Sequence, residues 1–455
     1  MKNVAFHNLG CKVNSYELDV VQQNFVKRGY KIVPFDQMAD IYVVNTCTVT
    51  NIADRKSRQM LHQAKKRNPD ALVVALGCYV QTDEEKVKLD SCIDIAIGNN
   101  RKKDTVEIVE AYLQETDIAE QTAVLSKTDI IDINHTSEYE EMELMQTAEH
   151  TRAYIKIQDG CNQFCSYCII PYARGRVRSR NEEEILEEVR NLAGNGYKEV
   201  VLTGIHISSY GLDFDGITNI ASGENFPYER LLHLIRRIHE VEGIERIRLG
   251  SLEPRIVTEE FARELAKLPG FCPHFHLSLQ SGCNSVLKRM NRKYTAEEYY
   301  DKVCILRRFF DHPAITTDVI VGFPGETEEE FEVTRAFLEK TGFYEMHIFK
   351  YSKRQGTVAA SMEGQVSEGV KSVRSDILME LEKEMSLQYR KEHLHKEMTV
   401  LFEEEKEIAG KIYQTGHSME YIKAAICSEE KLAGRAIKGS CSDFLQSDLL
   451  LFERQ

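Results

Sequence analysis

No stretch of this 455-residue chain approaches the roughly 20 apolar residues of a membrane span. No export leader is expected, because Met1-Lys2-Asn3-Val4-Ala5-Phe6 reads directly into a strand. There is no phosphate-binding loop and no Ser/His/Asp arrangement, and the 14 histidines are scattered. Triad hydrolysis and P-loop chemistry are therefore set aside. Positive charge is in short supply: 58 Lys and Arg face 72 Asp and Glu, a net charge of −14. That balance argues mildly against a nucleic-acid partner, but the total hides segregation. Residues 114–150 hold ten acids and one Lys, while residues 152–180 hold six bases and one acid.

What the chain does have is cysteine, twelve in all. Without an export signal, thiols serve metal or redox chemistry in a reducing cytoplasm rather than disulfides. Cys161, Cys165 and Cys168 have the spacing C-x3-C-x2-C within Gln158-Asp159-Gly160-Cys161 and Phe164-Cys165-Ser166-Tyr167-Cys168. Thiolates suit iron–sulfur clusters or zinc. A structural zinc site would close with a fourth ligand, and no Cys or His follows Cys168 for thirty residues. A cube of four irons held by three cysteines keeps one iron open for substrate chemistry.

The length allows two to four domains. Residues 1–113 alternate strand and helix: a strand at Val4-Ala5-Phe6, a helix from about Tyr16 to Arg28 capped by Asn14 or Ser15, a strand Ile41–Val44, a helix Ile52–Arg67 and a strand Ala71–Leu76. This is the pattern of a small parallel sheet. Each strand runs into a cysteine: Leu9-Gly10-Cys11, Asn45-Thr46-Cys47 and Leu76-Gly77-Cys78. Carboxyl ends of parallel strands share one edge, where ligands bind. A single such Cys would read as a small buried hydrophobe; three make a second cluster site, while Cys92 reads as structural.

Residues 114–147 read as an acidic linker. Residues 148–385 contain six strand candidates, Ala153–Ile157, Val200–Thr203, Ile247–Ser251, Phe275–Leu279, Thr317–Val321 and Met346–Phe349, with helices such as Glu182–Leu192, Arg230–Val241 and Thr327–Leu338 between them. Six βα units predict a partial barrel whose working face is the strand C-terminal edge, where Cys161 lies. A long charged helix at 370–395 precedes five short strands, so residues 386–455 read as a small OB-like β-barrel.

Arg174, Arg176, Arg178 and Arg180 alternate, which in an extended segment puts all four on one side. Such a row suits a phosphate backbone, the alternative being a solvated face paired with Glu182–Glu184. Arg55, Lys56, Arg58, Lys65, Lys66 and Arg67 form a second basic set. In the last segment RNA contact would fall to Lys411, Tyr413, His417 and Tyr421. His206 and His276 fall in strands and read as satisfied core histidines.

Both triplets together resemble the radical S-adenosylmethionine (SAM) methylthiotransferase family. The matching runs are Asn8-Leu9-Gly10-Cys11-Lys12-Val13-Asn14, Asn45-Thr46-Cys47-Thr48-Val49, Gly77-Cys78-Tyr79-Val80-Gln81, Cys161 to Cys168 continuing through Ile169-Ile170-Pro171-Tyr172-Ala173-Arg174-Gly175, His276 to Gly282, and Asp318 to Glu326. The last sixty residues resemble the family's RNA-binding TRAM domain. One departure is Val80, where Ala would be expected.

The resemblance implies an α/β architecture: a small N-terminal parallel-sheet domain, a central (βα)6 radical SAM partial barrel and a TRAM β-barrel. It implies two 4Fe–4S clusters, at Cys161, Cys165, Cys168 and at Cys11, Cys47, Cys78. SAM at the first would yield a 5′-deoxyadenosyl radical that takes hydrogen from C2 of a modified adenine beside the anticodon. The second would carry the methylated sulfur. Tyr167, Gly204, Ser251 and Gln280 are the candidates to contact SAM, with Gly322-Phe323-Pro324-Gly325 as a shelf under its adenine. The partners implied are tRNA and an external one-electron reductant. The runs around Cys161 and Arg174–Arg180 are most similar to the branch acting on threonylcarbamoyladenosine. Isopentenyladenosine in tRNA and an aspartate of a ribosomal protein are the alternative substrates. An iron–sulfur electron carrier or RNA-binding scaffold is the non-enzymatic reading, which three-thiolate sites disfavour because carriers close their clusters with four cysteines.

Overall fold

The computed structural model describes residues 2–118, 127–145 and 151–454. The first unit is a six-stranded parallel sheet in the spatial order Lys31–Val33, Asn3–Asn8, Ile41–Thr46, Leu72–Gly77, Ile95–Ile97, Lys127–Asp129. Its central strands are buried on both faces: Ile41 and Val43 enter one core layer, Tyr42 and Val44 the other. Continuous apolar runs are what a parallel sheet covered on both sides requires.

Two expectations change here. The helix expected from Tyr16 spans Lys12–Lys27, with Cys11 itself at the N-cap and no side-chain cap. Asn14 and Ser15 do not cap because their polar groups are engaged elsewhere: Asn14 donates to the Leu9 carbonyl at 2.6 Å, and Ser15 accepts from Asn8 at 2.8 Å. The expected acidic linker is also incorporated into the fold. Lys127–Asp129 forms the sixth strand, and Met142 and Leu144 are buried in the sheet's core. A few apolar residues among many acids decided their placement, since burial of apolar side chains outweighs the average composition of the segment. Part of the linker, residues 119–126 and 146–147, lies outside the described residues.

The central unit has six parallel strands, Arg152–Asp159, Glu199–Gly204, Arg246–Leu249, His274–His276, Ala314–Val321 and Glu345–Lys350. They run in two hydrogen-bonded groups joined by parallel bridges Ile247↔Phe271 and Leu252↔Leu277, an open barrel. Ile155, Val200, Leu249, Leu277 and Val319 point outward into the layer of helices. Helix Glu182–Gly194 starts on the Asn181 cap, and Glu328–Thr341 on a capping box built by Thr327 and Glu330.

The helix Glu368–Lys391 leads into a closed five-stranded barrel in the order Glu397–Ile408, Lys411–His417, Lys423–Cys427, Leu449–Arg454, Ala436–Gln446. This barrel caps the N-terminal end of the central one. Arg246 donates to the carbonyls of His417 and Thr399, and Arg248 to those of Met419 and Ser418. Tyr421 stacks on His274 and His417 at 4.9 and 4.5 Å, with Arg152 and Arg248 over its ring. None of the described helices is long and apolar enough to cross a membrane.

Candidate metal centres

Cys11, Cys47 and Cys78 come from three adjacent strands and meet at the sheet's carboxyl edge. Gly10 lies at φ +110°, and a Cβ there would sit 3.1 Å from the Cys47 Sγ. Only glycine allows that turn and that approach. The hydroxyl of Ser57, on helix Asn51–Arg67, accepts from the Cys47 amide at 3.2 Å and donates to its carbonyl at 3.0 Å. Cys78 opens a short helix, and the Asn99 amide donates to its sulfur at 3.5 Å. The thiols of Cys11 and Cys47 are pushed up, that of Cys47 to about 12, by burial and then by neighbouring thiols and other charges; Cys78 raises both.

Cys161, Cys165 and Cys168 occupy one loop beyond the strand Arg152–Asp159. Gly160 lies at φ +71°, where a Cβ would run into the Arg176 carbonyl. The loop is pinned by Cys161 N to Gly175 O at 3.0 Å, Ser166 N to Met290 O at 3.0 Å and Ala359 N to Ser166 O at 2.8 Å. Burial and then the neighbouring Cys165 push the Cys161 thiol up to about 12 and that of Cys168 higher. Arg292 donates to the Cys165 sulfur at 3.3 Å, and the Gln163 amide to the Cys161 sulfur at 3.5 Å.

The donor sets fit iron–sulfur clusters. Thiols that raise one another's pKa ionise together only around a compensating cation. Among the described residues no three cysteine sulfurs lie within 4.8 Å of one another. Neither triplet is therefore drawn in to the sulfur spacing of about 3.8 Å that 2.3 Å bonds around one tetrahedral zinc impose. N–H groups aimed at cluster sulfurs are the usual second layer of such sites.

The two triplets flank one short helix, Ile170–Arg174. Asn99 ties the N-terminal triplet to this helix, donating to the Cys78 sulfur and to the Ala173 carbonyl at 2.7 Å. Arg174 closes that helix onto Glu17, with contacts of 2.8 and 2.9 Å, and onto Asn14 at 2.6 Å. Glu17 also receives Lys102 at 2.5 Å and Lys156 at 2.8 Å, all buried. Burial alone would raise the Glu17 carboxyl, but Arg174, Lys102 and Lys156 overcome it and hold it well below the ordinary carboxylate range.

A family model described as the Radical SAM superfamily matches residues 155–338, and one described as Uncharacterized protein family UPF0004 matches residues 3–98. The chain is 39% identical to the threonylcarbamoyladenosine tRNA methylthiotransferase MtaB of Bacillus subtilis (strain 168), over 96% of this chain and 93% of that protein. The chain belongs to the radical SAM methylthiotransferases. It is also 40% identical to the MtaB of Aquifex aeolicus, over 90% of this chain and 95% of that one. With a tRNA-2-methylthio-N(6)-dimethylallyladenosine synthase of Thermoanaerobacter sp. (strain X514) it shares 37%, over 88% and 83%. In fold it is similar to the radical SAM methyltransferase TsrM of Kitasatospora setae, with a TM-score of 0.54 at 17% identity over 77% of this chain and 75% of that one.

The methylthiotransferase does not present the expected row of arginines. Arg174, Arg178 and Arg180 are buried, and only Arg176 reaches solvent. Arg174 pairs with Glu17, far back in the chain, and with Asp159; Arg180 pairs with Glu188 and, at 3.8 Å, with Glu184 of the expected local set; Arg178 lies 3.9 Å from Asp159. Spacing revealed the shared direction, but not that the N-terminal unit covers it. Tyr413 is buried in the small barrel, and His417 and Tyr421 belong to the inter-barrel stack; Lys411 is exposed. On helix Asn51–Arg67, Arg55, Lys56 and Lys66 face solvent, whereas Lys65 pairs with Asp94, and Arg58 and Arg67 lie over Tyr79 and Phe35.

On the SAM side of this methylthiotransferase, Gly204 ends its strand where an added Cβ would sit 2.9 Å from the Gln158 carbonyl, and Ser251 is exposed just past Leu249. Gln280 holds φ +73° and exchanges backbone bonds with Asp318 and Ile320 at 2.9 Å. Tyr167 packs with Phe323, Tyr351 and Met290, so the apolar shelf at Phe323 lies beneath the cluster loop. His206 is not the satisfied strand histidine expected: it lies just past the strand Glu199–Gly204, partly buried, with one nitrogen on Ser209 and the other without a hydrogen-bond partner among the described residues. His276 is not a core histidine, since its ring faces the barrel interior beside Asp318. Arg292 and Asn99 were not singled out from the sequence; each is an isolated polar residue whose partner sulfur lies far away in the chain.

Proposed function

We propose that this methylthiotransferase places a methylthio group on C2 of threonylcarbamoyladenosine at position 37 of tRNA, with a 4Fe–4S cluster at each triplet. The observation that carries it is the pair of three-thiolate sites on either side of helix Ile170–Arg174, in a chain similar to tRNA methylthiotransferases of the MtaB type. When bound, a three-cysteine cluster with SAM supplies one-electron cleavage of the sulfonium and so a radical route to an unactivated C–H bond.

The chain's own residues bind, orient and exclude water. Cys161, Cys165 and Cys168 hold one cluster and Arg292 offsets its charge at Cys165. Tyr167 and Phe323 wall it from solvent, and Gly204, Ser251 and Gln280 present polar groups to SAM. Cys11, Cys47 and Cys78 hold the second cluster. Arg176, Arg55, Lys56 and Lys411 are exposed cations for tRNA phosphates. An external reductant supplies the electron, and the tRNA substrate places the reaction in the cytoplasm.

Mass analysis of tRNA nucleosides from cells with and without the gene tests this. Loss of the methylthio group from threonylcarbamoyladenosine alone supports it. Loss from isopentenyladenosine instead moves the substrate to the prenylated branch. No change in either, in cells lacking a second such enzyme, points to the ribosomal-protein substrate.

A further inference from the structure

The interior of the central barrel is lined by alternate residues of its strands. On Ala314–Val321, Ile315, Val319 and Val321 face the helices, so Thr316 and Asp318 face inward. In register with them stand His276, opposite Thr316, and His347, opposite Asp318. His276 Nε2 lies 3.4 Å from the Asp318 carboxylate, its Nδ1 lies 3.0 Å from the Thr316 hydroxyl, and its ring stacks on His347 at 5.9 Å. Polar atoms of all three residues lie within 4.8 Å of one another. His347 is exposed and has no hydrogen-bond partner among the described residues.

A cation enters the same space from the other unit. Lys12 opens the helix capped by Cys11, and that helix packs on strands Arg152–Asp159 and Glu199–Gly204. Its ammonium has no acid or hydrogen-bond partner among the described residues. Its side chain is open to solvent, with Arg152, Arg248 and Glu199 within its electrostatic reach. The buried His274 connects the two sides: its Nε2 lies 3.5 Å from the Thr316 hydroxyl that also meets His276, its ring stacks on Tyr421 beneath Arg152 and Arg248, and Lys12 lies within its electrostatic reach. The neighbouring arginines are already satisfied, Arg248 by Glu199 and carbonyls of the small barrel, and Arg152 by Glu403. Tyr421 closes the floor beneath them.

We propose that Lys12, with the wall formed by His276, Asp318 and His347, is the subsite for the N6 substituent of the target adenine, and that it is built for a substituent carrying a carboxylate. This rests on the reading that the substrate is a substituted adenosine of tRNA. An unpartnered ammonium and an unpartnered imidazole receive a carboxylate, and Asp318 accepts from an N–H or O–H of the same group. An alkyl substituent would leave these groups desolvated and unpaired, the arrangement that gives a polar site its strongest discrimination.

The test uses the iron-loaded enzyme with SAM and anticodon stem-loops bearing threonylcarbamoyladenosine, its neutral threonine methyl ester, or isopentenyladenosine. Affinity is read by fluorescence anisotropy, turnover by nucleoside mass, and iron content is checked for every variant. The wild type is expected to bind the acid about ten- to a hundredfold more tightly than the ester, the range of one charge-assisted hydrogen bond. Lys12→Gln should shrink that ratio to within about threefold by weakening only the acid, and Lys12→Arg should restore most of it. His347→Ala, remote in sequence from the thiols, should cut the ratio by about threefold or more. If Lys12→Gln and His347→Ala both keep the wild-type ratio, or the wild type turns over the acid without preferring it to the ester, the subsite is wrong while the substrate reading stands. If the wild type turns over only the isopentenyl stem-loop, the substrate reading itself fails.

Discussion

The two cysteine triplets each gather three thiols, but by opposite constructions. The barrel triplet lies in one loop, so its spacing is written locally and the rest of the barrel only pins it. The N-terminal triplet is assembled from three strand ends, so its geometry exists only once the parallel sheet has formed. The first depends on a pinned loop and a neighbouring arginine. The second depends on strand register and on Ser57 and Gly10. Two such sites can work as one centre only if the units carrying them are held rigidly, and the buried cluster of Glu17, Arg174, Lys102, Lys156 and Asp159 occupies that junction.

The strongest way to break the comparison is to remove the barrel site. Cys165→Ala should reduce formation of 5′-deoxyadenosine from SAM to background and abolish product, measured by chromatography of the reaction. Retained SAM cleavage would assign the radical chemistry elsewhere. Next comes the junction. Glu17→Ala removes the acid shared by Lys102, Lys156 and Arg174, leaving Asp159 alone to face the last two, and should destabilise the protein by about 3–5 kcal/mol, read from denaturant unfolding.

A third prediction separates the two units by pH. Burial, with Arg292 and Arg255, lowers the barrel residue His206 to about 3. The unfolded chain, near 6.5, then binds the proton that the folded chain refuses. Stability is complete above about pH 6.5 and declines as pH falls toward 3, by about 1.4 kcal/mol per unit. His206→Gln should flatten that slope in denaturation series between pH 6.5 and 4. The smallest effect sharpens the sheet side. Thr50→Ala removes the cap of the helix that carries Ser57, costing about 1 kcal/mol, visible as a lowered Tm.

The sequence made the six cysteines, the six barrel strands and the closed terminal barrel legible, because each writes a local pattern: spacing, alternation or a strand running into Gly-Cys. It was misleading wherever one unit covers another. Arg174, Arg178 and Arg180 look like a nucleic-acid face because their acids, Glu17 and Glu188 among them, lie on other elements. Tyr421 looks like an RNA contact because nothing local announces His274 and Arg248 as its neighbours. The acidic stretch looked like a linker because composition averages away Met142 and Leu144. Lys12 drew no notice for the same reason: its meaning lies in the strands it faces.

The most direct test is a chain with Cys11, Cys47 and Cys78 all changed to Ala, assayed for iron, for 5′-deoxyadenosine and for methylthiolated nucleoside. The account predicts half the iron of the intact chain, retained SAM cleavage and no methylthio product. Full iron, or loss of SAM cleavage along with the product, would contradict two separate clusters with divided roles.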